Sequence, residues 1–265
     1  TRVDTLLIAD DRVVGVRTSD GEEIHANTVI SDIGARETVN HLLPADCGHR
    51  SWIDEIRALP HSVAHFSLFV GFEGDIERAG ATRSNHWIYP DGKVDVIWTD
   101  APDTPPPALF VSFASLKDPA HDPGPSKKYA GEIVTWVDWS VVEKWADKVP
   151  GARGEDYQAF KAGVEDAMFA LFQTYFPDLA KLVVFRNLST PLTTQTITGH
   201  HKGAFYGIDT TPDRLMSEAL QTKTPIPGLF LAGQDVMSPG IPGALWGGLL
   251  AAASVDPTLF RQMPK

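Results

Sequence analysis

The stretch PGLFLAGQDVMSPGIPGALWGGLLAA, residues 227–252, decides the fold of this chain. Its apolar run 229–232 predicts a short buried strand, and the glycine and polar residues 233–235 that follow predict a loop. A helix is expected over 240–254, because Pro242 suits a first helical turn, where its missing N–H costs nothing. The stretch is therefore predicted to be a strand–loop–helix unit.

The residues of this unit are compatible with two roles. The unsatisfied N–H groups and partial positive charge of a helix start suit an anionic or electron-rich ligand, and Asp235 can accept hydrogen bonds from sugar-like hydroxyls. The predicted helix has no side chains at three positions, Gly243, Gly247 and Gly248, so we expect another group to approach its backbone closely. The approaching group is either a flat or phosphorylated ligand or another part of the same chain, and the residues alone leave both open.

The beginning of the chain is rich in β-forming residues. The runs 3–8, 12–18 and 22–30 are separated by turn-forming residues and predict a three-stranded meander. Helices are expected over 37–43 and 51–59, the first of which is stopped by a proline.

The middle of the chain predicts a sheet covered by a long helix. Strands are expected over 61–72, 94–99, 109–115, 131–137 and 181–188. A helix is expected over 155–176, where apolar residues recur three and four apart and form one core-facing stripe. These residues are Phe160, Val164, Met168, Leu171 and Tyr175. Thr190-Pro191 predicts the N-cap and first turn of a further helix.

The composition excludes several classes of protein. The 265 residues include 23 Lys+Arg against 34 Asp+Glu, a net charge of −11, which argues against a nucleic-acid-binding surface. The single cysteine, Cys47, excludes an internal disulfide and any multi-cysteine metal site. No apolar run approaches the roughly 20 residues that a membrane-spanning helix needs. We therefore expect a cytoplasmic protein.

Several common functional motifs are missing from the sequence. No two glycines lie two residues apart, so the dinucleotide-binding pattern G-x-G-x-x-G is absent, as are the P-loop, H-E-x-x-H and G-x-S-x-G. His61 and His65, if they lie on a strand, are roughly 13 Å apart at about 3.3 Å per residue, too far to hold one metal ion. We expect no metal site.

Four stretches resemble the phytoene desaturase-like flavoproteins, a group within the amine-oxidase-type fold that includes carotenoid desaturases, carotenoid isomerase and retinol saturase. They are residues 227–252, VISDIGARETVNHLLP (29–44), EKWADKVPGARGEDYQAFK (143–161) and STPLTTQTITGHHKGAFYG (189–207). The first resembles the C-terminal FAD-binding segment of the group, and the last points to its saturase and isomerase branch. The resemblance covers nearly the whole chain in the expected order.

The resemblance implies an α/β fold with two domains. A partial FAD-binding, amine-oxidase-like domain would comprise residues 1–36 and 225–265. A substrate domain of the α+β type, built on a mixed or antiparallel sheet, would comprise residues 37–224.

The resemblance also implies where FAD would lie. Gly233 and Asp235 would adjoin its ribityl and pyrophosphate groups, and the helix start at Ile241 to Gly243 would face the isoalloxazine ring. Val3 matches a position whose backbone meets the adenine, although it is equally compatible with an ordinary strand valine. The full predicted cofactor site is Val3, Gly233, Gln234, Asp235, Gly240, Ile241, Pro242, Gly243 and Ala244.

The activity implied by the resemblance is FAD-dependent desaturation, saturation or isomerisation of an apolar isoprenoid, carotenoid or retinoid-like substrate. No side chain stands out as a catalytic acid or base, so the cofactor is expected to carry the chemistry. Six tryptophans would either line a tunnel for the substrate or pack in the core and on helix faces. They are Trp52, Trp87, Trp98, Trp136, Trp139 and Trp246. Such a substrate also implies peripheral contact with a membrane.

The sequence departs from the family in lacking the N-terminal G-x-G-x-x-G unit. We therefore expect a piece of a longer protein, inactive and without FAD by itself. Two other functions stay open at this stage. One is a non-catalytic prenyl- or lipid-binding module resembling the Rab GDP-dissociation inhibitors, which share the fold. The other is an amine oxidase, which typically needs a lysine at the flavin that cannot be placed here.

Overall fold

The computed structural model describes residues 1–259. The strands in this part of the chain are β1 (Val3–Ala9), β2 (Arg12–Thr18), β3 (Glu23–His25), β4 (Val29–Ser31), β5 (Ala64–Glu73), β6 (His86–Ile88), β7 (Leu109–Ser112), β8 (Lys128–Val137), β9 (Val183–Ser189) and β10 (Leu229–Leu231). The α-helices are α1 (Ala35–Glu37), α2 (Arg50–Ala58), α3 (Ala114–Lys117), α4 (Ser140–Glu143), α5 (Glu155–Tyr175), α6 (Pro177–Ala180), α7 (Pro191–Thr198), α8 (Pro212–Met216) and α9 (Gly240–Val255).

The chain forms two compact units, which differ from the predicted domains in their bounds. The first unit consists of Thr1–Ser62 and the chain from Tyr206 onward, and the second is Val63–Phe205. Helix α2 and the segment 206–224 therefore belong with the first unit, although they fall inside the predicted substrate domain. The assignment of a cofactor role to one part and a substrate role to the other stays a prediction.

The first unit contains the predicted meander and the parallel strand pair. Strands β1, β2 and β3 form an antiparallel sheet in chain order, as expected. The end of the third predicted run separates as β4 and pairs in parallel with β10. The core of this unit includes side chains from the meander, α2 and β10, among them Leu6, Val13, Ile53, Ile56, Leu229 and Leu231.

The second unit is built on a five-stranded sheet with the order β6-β7-β8-β5-β9. All of its strand pairs are antiparallel. Alternate residues of β5, such as Phe66 and Leu68, point into a core that α5 covers with Val164, Met168 and Phe172. The predicted stripe on this helix is confirmed at four of its five positions, because Val164 and Met168 are buried in this core and Phe160 and Leu171 pack against it. Its last member, Tyr175, is 47% exposed.

The strand predicted over 94–99 is wrong. Val94 and Ile97 are exposed, and among the described residues the segment pairs with the sheet through one isolated bridge, from Trp98 to Val137. The buried indole of Trp98 anchors the segment, and its N–H donates to Thr104 Oγ1 at 3.1 Å. The strand predicted over 109–115 ends early at β7, where α3 begins.

Several helix signals are confirmed. Thr190 is the N-cap of α7 and forms a reciprocal capping box with Thr193, and Pro191 occupies the first turn. The long helix and α9 end within one residue of their predicted ends. The helix predicted over 37–43 is instead the short α1 followed by a π-helical turn over Thr38–Leu42. Within residues 1–259, no helix combines the length and hydropathy needed to cross a bilayer.

Candidate functional site

The parallel pair β4–β10 brings together two loops that lie far apart in the sequence. Leu231 pairs with Ser31, and the N–H of Ala232 donates to the carbonyl of Ser31 at 2.9 Å. Because parallel strands end at the same edge of a sheet, Asp32 and Gly233 become neighbours. A Cβ at position 233 would lie 1.9 Å from Asp32 Oδ1, and the φ of +83° there also favours glycine.

Asp235 is buried where these loops meet, and both of its carboxylate oxygens have backbone partners. Oδ2 accepts the N–H of Ala35 at 2.8 Å, and Oδ1 accepts the N–H of Ile208 at 3.3 Å. Gly207 comes so close that a Cβ there would lie 2.9 Å from Oδ1. The carboxylate therefore joins three segments of the first unit, a role that the sequence did not reveal.

Arg214 is a second buried charge beside this loop, and no local sequence pattern marks it as part of the site. Its guanidinium donates to the carbonyl oxygens of Ile208 and Gln234. Burial lowers the pKa of Arg214, and the nearby carboxylate of Asp235 opposes that shift. The positive charge faces the negative charge of Asp235 across the loop, so the two fix the backbone of 234–235.

Asp32 is the more exposed of the two carboxylates at this edge. Burial raises the pKa of Asp32, and repulsion by the charge of Asp235 raises it further. The residue lies in one of the stretches that carry the family resemblance, but it was not among the predicted site residues. The signal that could have found it is its place directly after a strand that pairs in parallel with β10.

Gly243 and Gly247 lie on the buried face of α9 and are explained by packing within the chain. A Cβ on Gly243 would lie 1.6 Å from the carbonyl oxygen of Ser238, and one on Gly247 would lie 2.0 Å from that of Gly233. The close approach that the sequence predicted is therefore confirmed at these two glycines, and the group that approaches is the loop before the helix. No side chain larger than hydrogen fits at either position. The prediction is wrong for Gly248, where a Cβ would meet nothing within 4 Å because this position faces away from the loop.

The start of α9 presents its other side to solvent. Gly240, which has a φ of +85°, donates its N–H to Gln234 Oε1 at 3.1 Å, so the loop holds the helix start in place. Ile241 is 79% exposed, and Pro242 and Ala244 are exposed as well. A Cβ on Gly240 would meet nothing within 4 Å. This surface of the first turn is open to a ligand.

Eight of the nine predicted site residues thus form one local arrangement, and they divide into two groups. Gly233, Gln234, Asp235 and Gly243 hold the loop against the helix, whereas Gly240, Ile241, Pro242 and Ala244 face outward. The ninth, Val3, lies at the start of β1, where it pairs with Thr18 and packs on the core of the first unit. Nothing in its contacts distinguishes it from an ordinary strand valine.

No cluster of metal ligands accompanies this arrangement. Over residues 1–259, no group of three or more His, Cys, Asp or Glu side chains is placed to hold a metal ion. His65 lies on β5, as expected, and His61 lies just before that strand.

The fold is shared with oxidoreductases of known structure. A mutant of putrescine oxidase, solved in a structure-based redesign of cofactor binding, superposes with a TM-score of 0.60 over 96% of this chain and 48% of its own, at 10% identity. An oxidoreductase from Methanosarcina mazei superposes with a TM-score of 0.54 over 95% of this chain and 48% of its own, at 13% identity. The chain therefore has the fold of about half of each of these two proteins.

The sequence relatives are retinol reductases and prolycopene isomerases. The all-trans-retinol 13,14-reductase of Rattus norvegicus is 31% identical over 94% of this chain and 43% of its own length. The chloroplastic prolycopene isomerase of Arabidopsis thaliana is 23% identical over 96% of this chain and 40% of its own. An inactive all-trans-retinol 13,14-reductase of Danio rerio is 30% identical over 91% and 42%. No protein-family model matches the chain.

These relatives confirm the resemblance predicted from the sequence. The chain spans less than half the length of the curated relatives it matches.

Proposed function

We propose that this chain is the C-terminal part of an FAD-dependent oxidoreductase, a desaturase, saturase or isomerase, that acts on an apolar isoprenoid, carotenoid or retinoid-like substrate. The observation that carries the proposal is the preorganised start of α9 at the carboxyl edge of a parallel strand pair. Ligands of open α/β sheets bind at this kind of edge. The relatives, which act on retinol or prolycopene by name, support the substrate class.

The residues present fit FAD at the helix start. The outward group, Gly240, Ile241, Pro242 and Ala244, offers an open surface at the N-terminus of a 16-residue helix. The positive end of its dipole would stabilise negative charge on the ring by about 0.3–1 kcal/mol. FAD, when bound, supplies the acceptor or donor for hydride transfer.

The inward group of predicted residues acts indirectly under this proposal. Asp235 and Gln234 hold the loop and the first turn of α9 in one geometry, so the surface that meets the cofactor exists before the cofactor binds. The backbone of Val3, at the start of β1, would meet the adenine. None of these residues moves a proton, and the protein's contribution is to bind, orient and exclude water.

The two parts of the chain have different roles, and the protein works at the surface of a membrane. Residues 1–36 and 225–265 serve the cofactor and residues 37–224 serve the substrate, which enters from a membrane that the protein contacts peripherally from the cytoplasm. A dinucleotide-binding segment supplied by a longer protein completes the cofactor site, and residues 1–265 alone neither retain FAD nor turn over substrate.

The test compares two alanine-to-glutamate variants of the protein that contains this chain together with a dinucleotide-binding segment. We expect the wild type to purify with the visible absorbance of flavin. Ala244→Glu, at the exposed helix start, should lower FAD affinity at least 10-fold, and Ala162→Glu, on an exposed position of α5, should leave it unchanged. A wild type that purifies colourless and takes up no added FAD would overturn the proposal and favour the prenyl-binding module.

A further inference from the structure

Asp32 carries a carboxylate without a partner at the edge where β4 and β10 end. The residue directly follows β4 and is exposed, whereas Asp235 is only 4% exposed. Within residues 1–259, neither carboxylate oxygen of Asp32 accepts a hydrogen bond or joins an ion pair. The side chain therefore has no bond to the rest of the first unit that would explain it as a structural group.

The loop after β10 is shaped around this carboxylate. A Cβ at position 233 would overlap Asp32 Oδ1, so the carboxylate lies directly against the backbone of Gly233. On the side of α9, a Cβ on Gly247 would overlap the carbonyl oxygen of Gly233. The backbone of one residue thus separates Asp32 from α9, and only glycine at that residue leaves room for both neighbours.

The position of Asp32 is unfavourable for its charge. Burial, and then the negative charge of Asp235, raise the pKa of the Asp32 carboxyl. The two buried cations near Asp235, Arg36 and Arg214, donate to backbone carbonyl oxygens and do not pair with Asp32. A carboxylate held beside a like charge, without a bond that compensates for it, is more typical of a functional group than of a structural one.

Asp235, the other carboxylate at this edge, is not available to a ligand. Its two oxygens accept the N–H groups of Ala35 and Ile208, at 2.8 and 3.3 Å. A ligand hydroxyl could bind there only by displacing one of these donors, and a buried N–H that loses its acceptor is costly. Asp32 is therefore the carboxylate at this edge that can bind a ligand.

The distance along α9 indicates which part of the cofactor would meet Asp32. Gly233 packs on Gly247, which is seven residues after Gly240 (247 − 240), or about 10 Å along the helix axis at about 1.5 Å per residue. The proposed function places the isoalloxazine ring at the first turn, around Gly240 and Ile241. Asp32 would therefore lie beyond the ring, beside the polyol chain that links the ring to the pyrophosphate.

We propose that Asp32 accepts hydrogen bonds from the ribityl hydroxyl groups of FAD. The inference rests on the proposed function and deepens it by naming the residue that recognises the polyol chain. Hydroxyl groups form short, strong hydrogen bonds to an ionised carboxylate, and both oxygens of Asp32 are free to accept them. Asp235 then only supports the loop, in contrast to the direct contact that the family resemblance implies for it.

The test measures FAD binding through the quenching of flavin fluorescence. It uses the apoprotein of the longer protein that contains this chain together with a dinucleotide-binding segment. The probes are FAD and three analogues that each lack one ribityl hydroxyl, at the 2′, 3′ or 4′ position. We expect wild type to bind at least one analogue about 10- to 100-fold more weakly than FAD, the range of one hydrogen bond to a charged group.

Variants of Asp32 show whether the missing hydroxyl is the one that the carboxylate binds. Asp32→Ala should bind FAD more weakly by the same factor and should no longer distinguish FAD from that analogue, because the two changes remove one contact. Asp32→Asn keeps one carbonyl acceptor and should show a smaller loss. Asp213→Ala removes an exposed carboxylate of the same unit, so it is the matched control and should behave as wild type.

Two results would overturn the inference and leave the proposed function in place. In the first, Asp32→Ala binds FAD as tightly as wild type. In the second, Asp32→Ala weakens FAD and all three analogues by one common factor, which would mean that the carboxylate pairs with another group, such as a cation. A wild type that takes up no FAD would instead overturn the proposed function, and this inference with it.

A second measurement, on the 265-residue chain alone, needs no flavin. Removing the charge of Asp32 relieves its repulsion by Asp235, so Asp32→Asn should raise the urea concentration at the midpoint of unfolding. Asp235→Asn, which weakens two buried hydrogen bonds, should lower that midpoint. A lower midpoint in Asp32→Asn would mean that the carboxylate holds the fold together, and the inference would be wrong.

Discussion

At the scale of single residues, Asp235 is the clearest case of a predicted site residue whose observed contacts are structural. Its carboxylate satisfies two buried N–H groups, those of Ala35 and Ile208, and lies near the buried guanidinium of Arg214. A buried N–H that loses its acceptor costs about 1–3 kcal/mol, and a buried cation that loses its counter-charge costs more.

We therefore predict that Asp235→Ala lowers the free energy of unfolding of the first unit by about 2–4 kcal/mol. Asp235→Asn keeps one carbonyl acceptor and should lose about half as much. Urea unfolding followed by circular dichroism measures the change, with the exposed Asp213→Ala as control. A value for Asp235→Ala within about 0.5 kcal/mol of wild type would mean that the carboxylate does not join these segments.

His65 predicts a dependence of stability on pH. The unfolded chain binds a proton at this side chain as the pH falls below its ordinary pKa of 6.5, whereas the folded chain does not until about pH 4. Folding stability is therefore lost as the pH falls from 6.5 to about 4, by up to about 3 kcal/mol at 1.36 kcal/mol per unit. Unfolding free energies measured at pH 7, 5.5 and 4 should show this loss in wild type and in His86→Phe, and a smaller loss in His65→Phe.

At the scale of elements, α9 places two adjacent glycines in opposite environments. Gly247 meets the carbonyl oxygen of Gly233, a backbone group that cannot move aside, whereas a Cβ on Gly248 would meet nothing within 4 Å. Gly247→Ala should therefore destabilise the first unit by several kcal/mol or prevent its folding. Gly248→Ala should stabilise it by about 0.5–1 kcal/mol, because alanine is the better helix former. The measurement is the thermal unfolding temperature of each variant. Shifts of the same sign would mean that Gly247 does not pack against the backbone of Gly233.

The elements that could be predicted from sequence are those with a local signal. Such a signal marks the stripe of α5, the N-cap at Thr190 and the β-rich runs of the meander, because each depends on neighbours in the chain. All three are confirmed, except for the last member of the stripe, Tyr175. The run 94–99 has the composition of a strand but finds no neighbouring strand for most of its length, so tertiary context overrides its propensity. The three residues of β6 are too few to show a period.

The candidate site was predictable only in its continuous part. The glycines and Asp235 lie in one stretch whose pattern marks it. Asp32 and Arg214 lie 203 and 21 residues before Asp235 in the sequence. No local pattern marks either of them as a neighbour of the same loop. The contact between the rings of His65 and Phe205 was likewise not predictable, because no spacing rule connects these two residues.

At the scale of the whole molecule, the two units differ in how the chain builds them. The second is continuous, and its core draws only on residues 64–192. The first unit is built from two stretches of chain, which the second unit separates in the sequence. The ends of the second unit meet, since the N–H of Phe205 donates to the carbonyl of Val63 at 3.0 Å. An insertion whose ends are adjacent can be removed without stretching the remaining chain.

We therefore predict that residues 63–205 fold when expressed alone. The fragment retains all five strands, α5 and its own buried core, and 143 residues (205 − 63 + 1) is within the usual size of an independent domain. It should give a cooperative urea transition and dispersed amide resonances. A shorter fragment, 63–182, lacks β9 and the capped helix α7, so it should remain unfolded, because the ten-residue strand β5 would then have an unpaired edge. An unfolded or aggregated 63–205 would mean that its sheet depends on residues outside this range, and the division of the chain into two independent cores would be wrong.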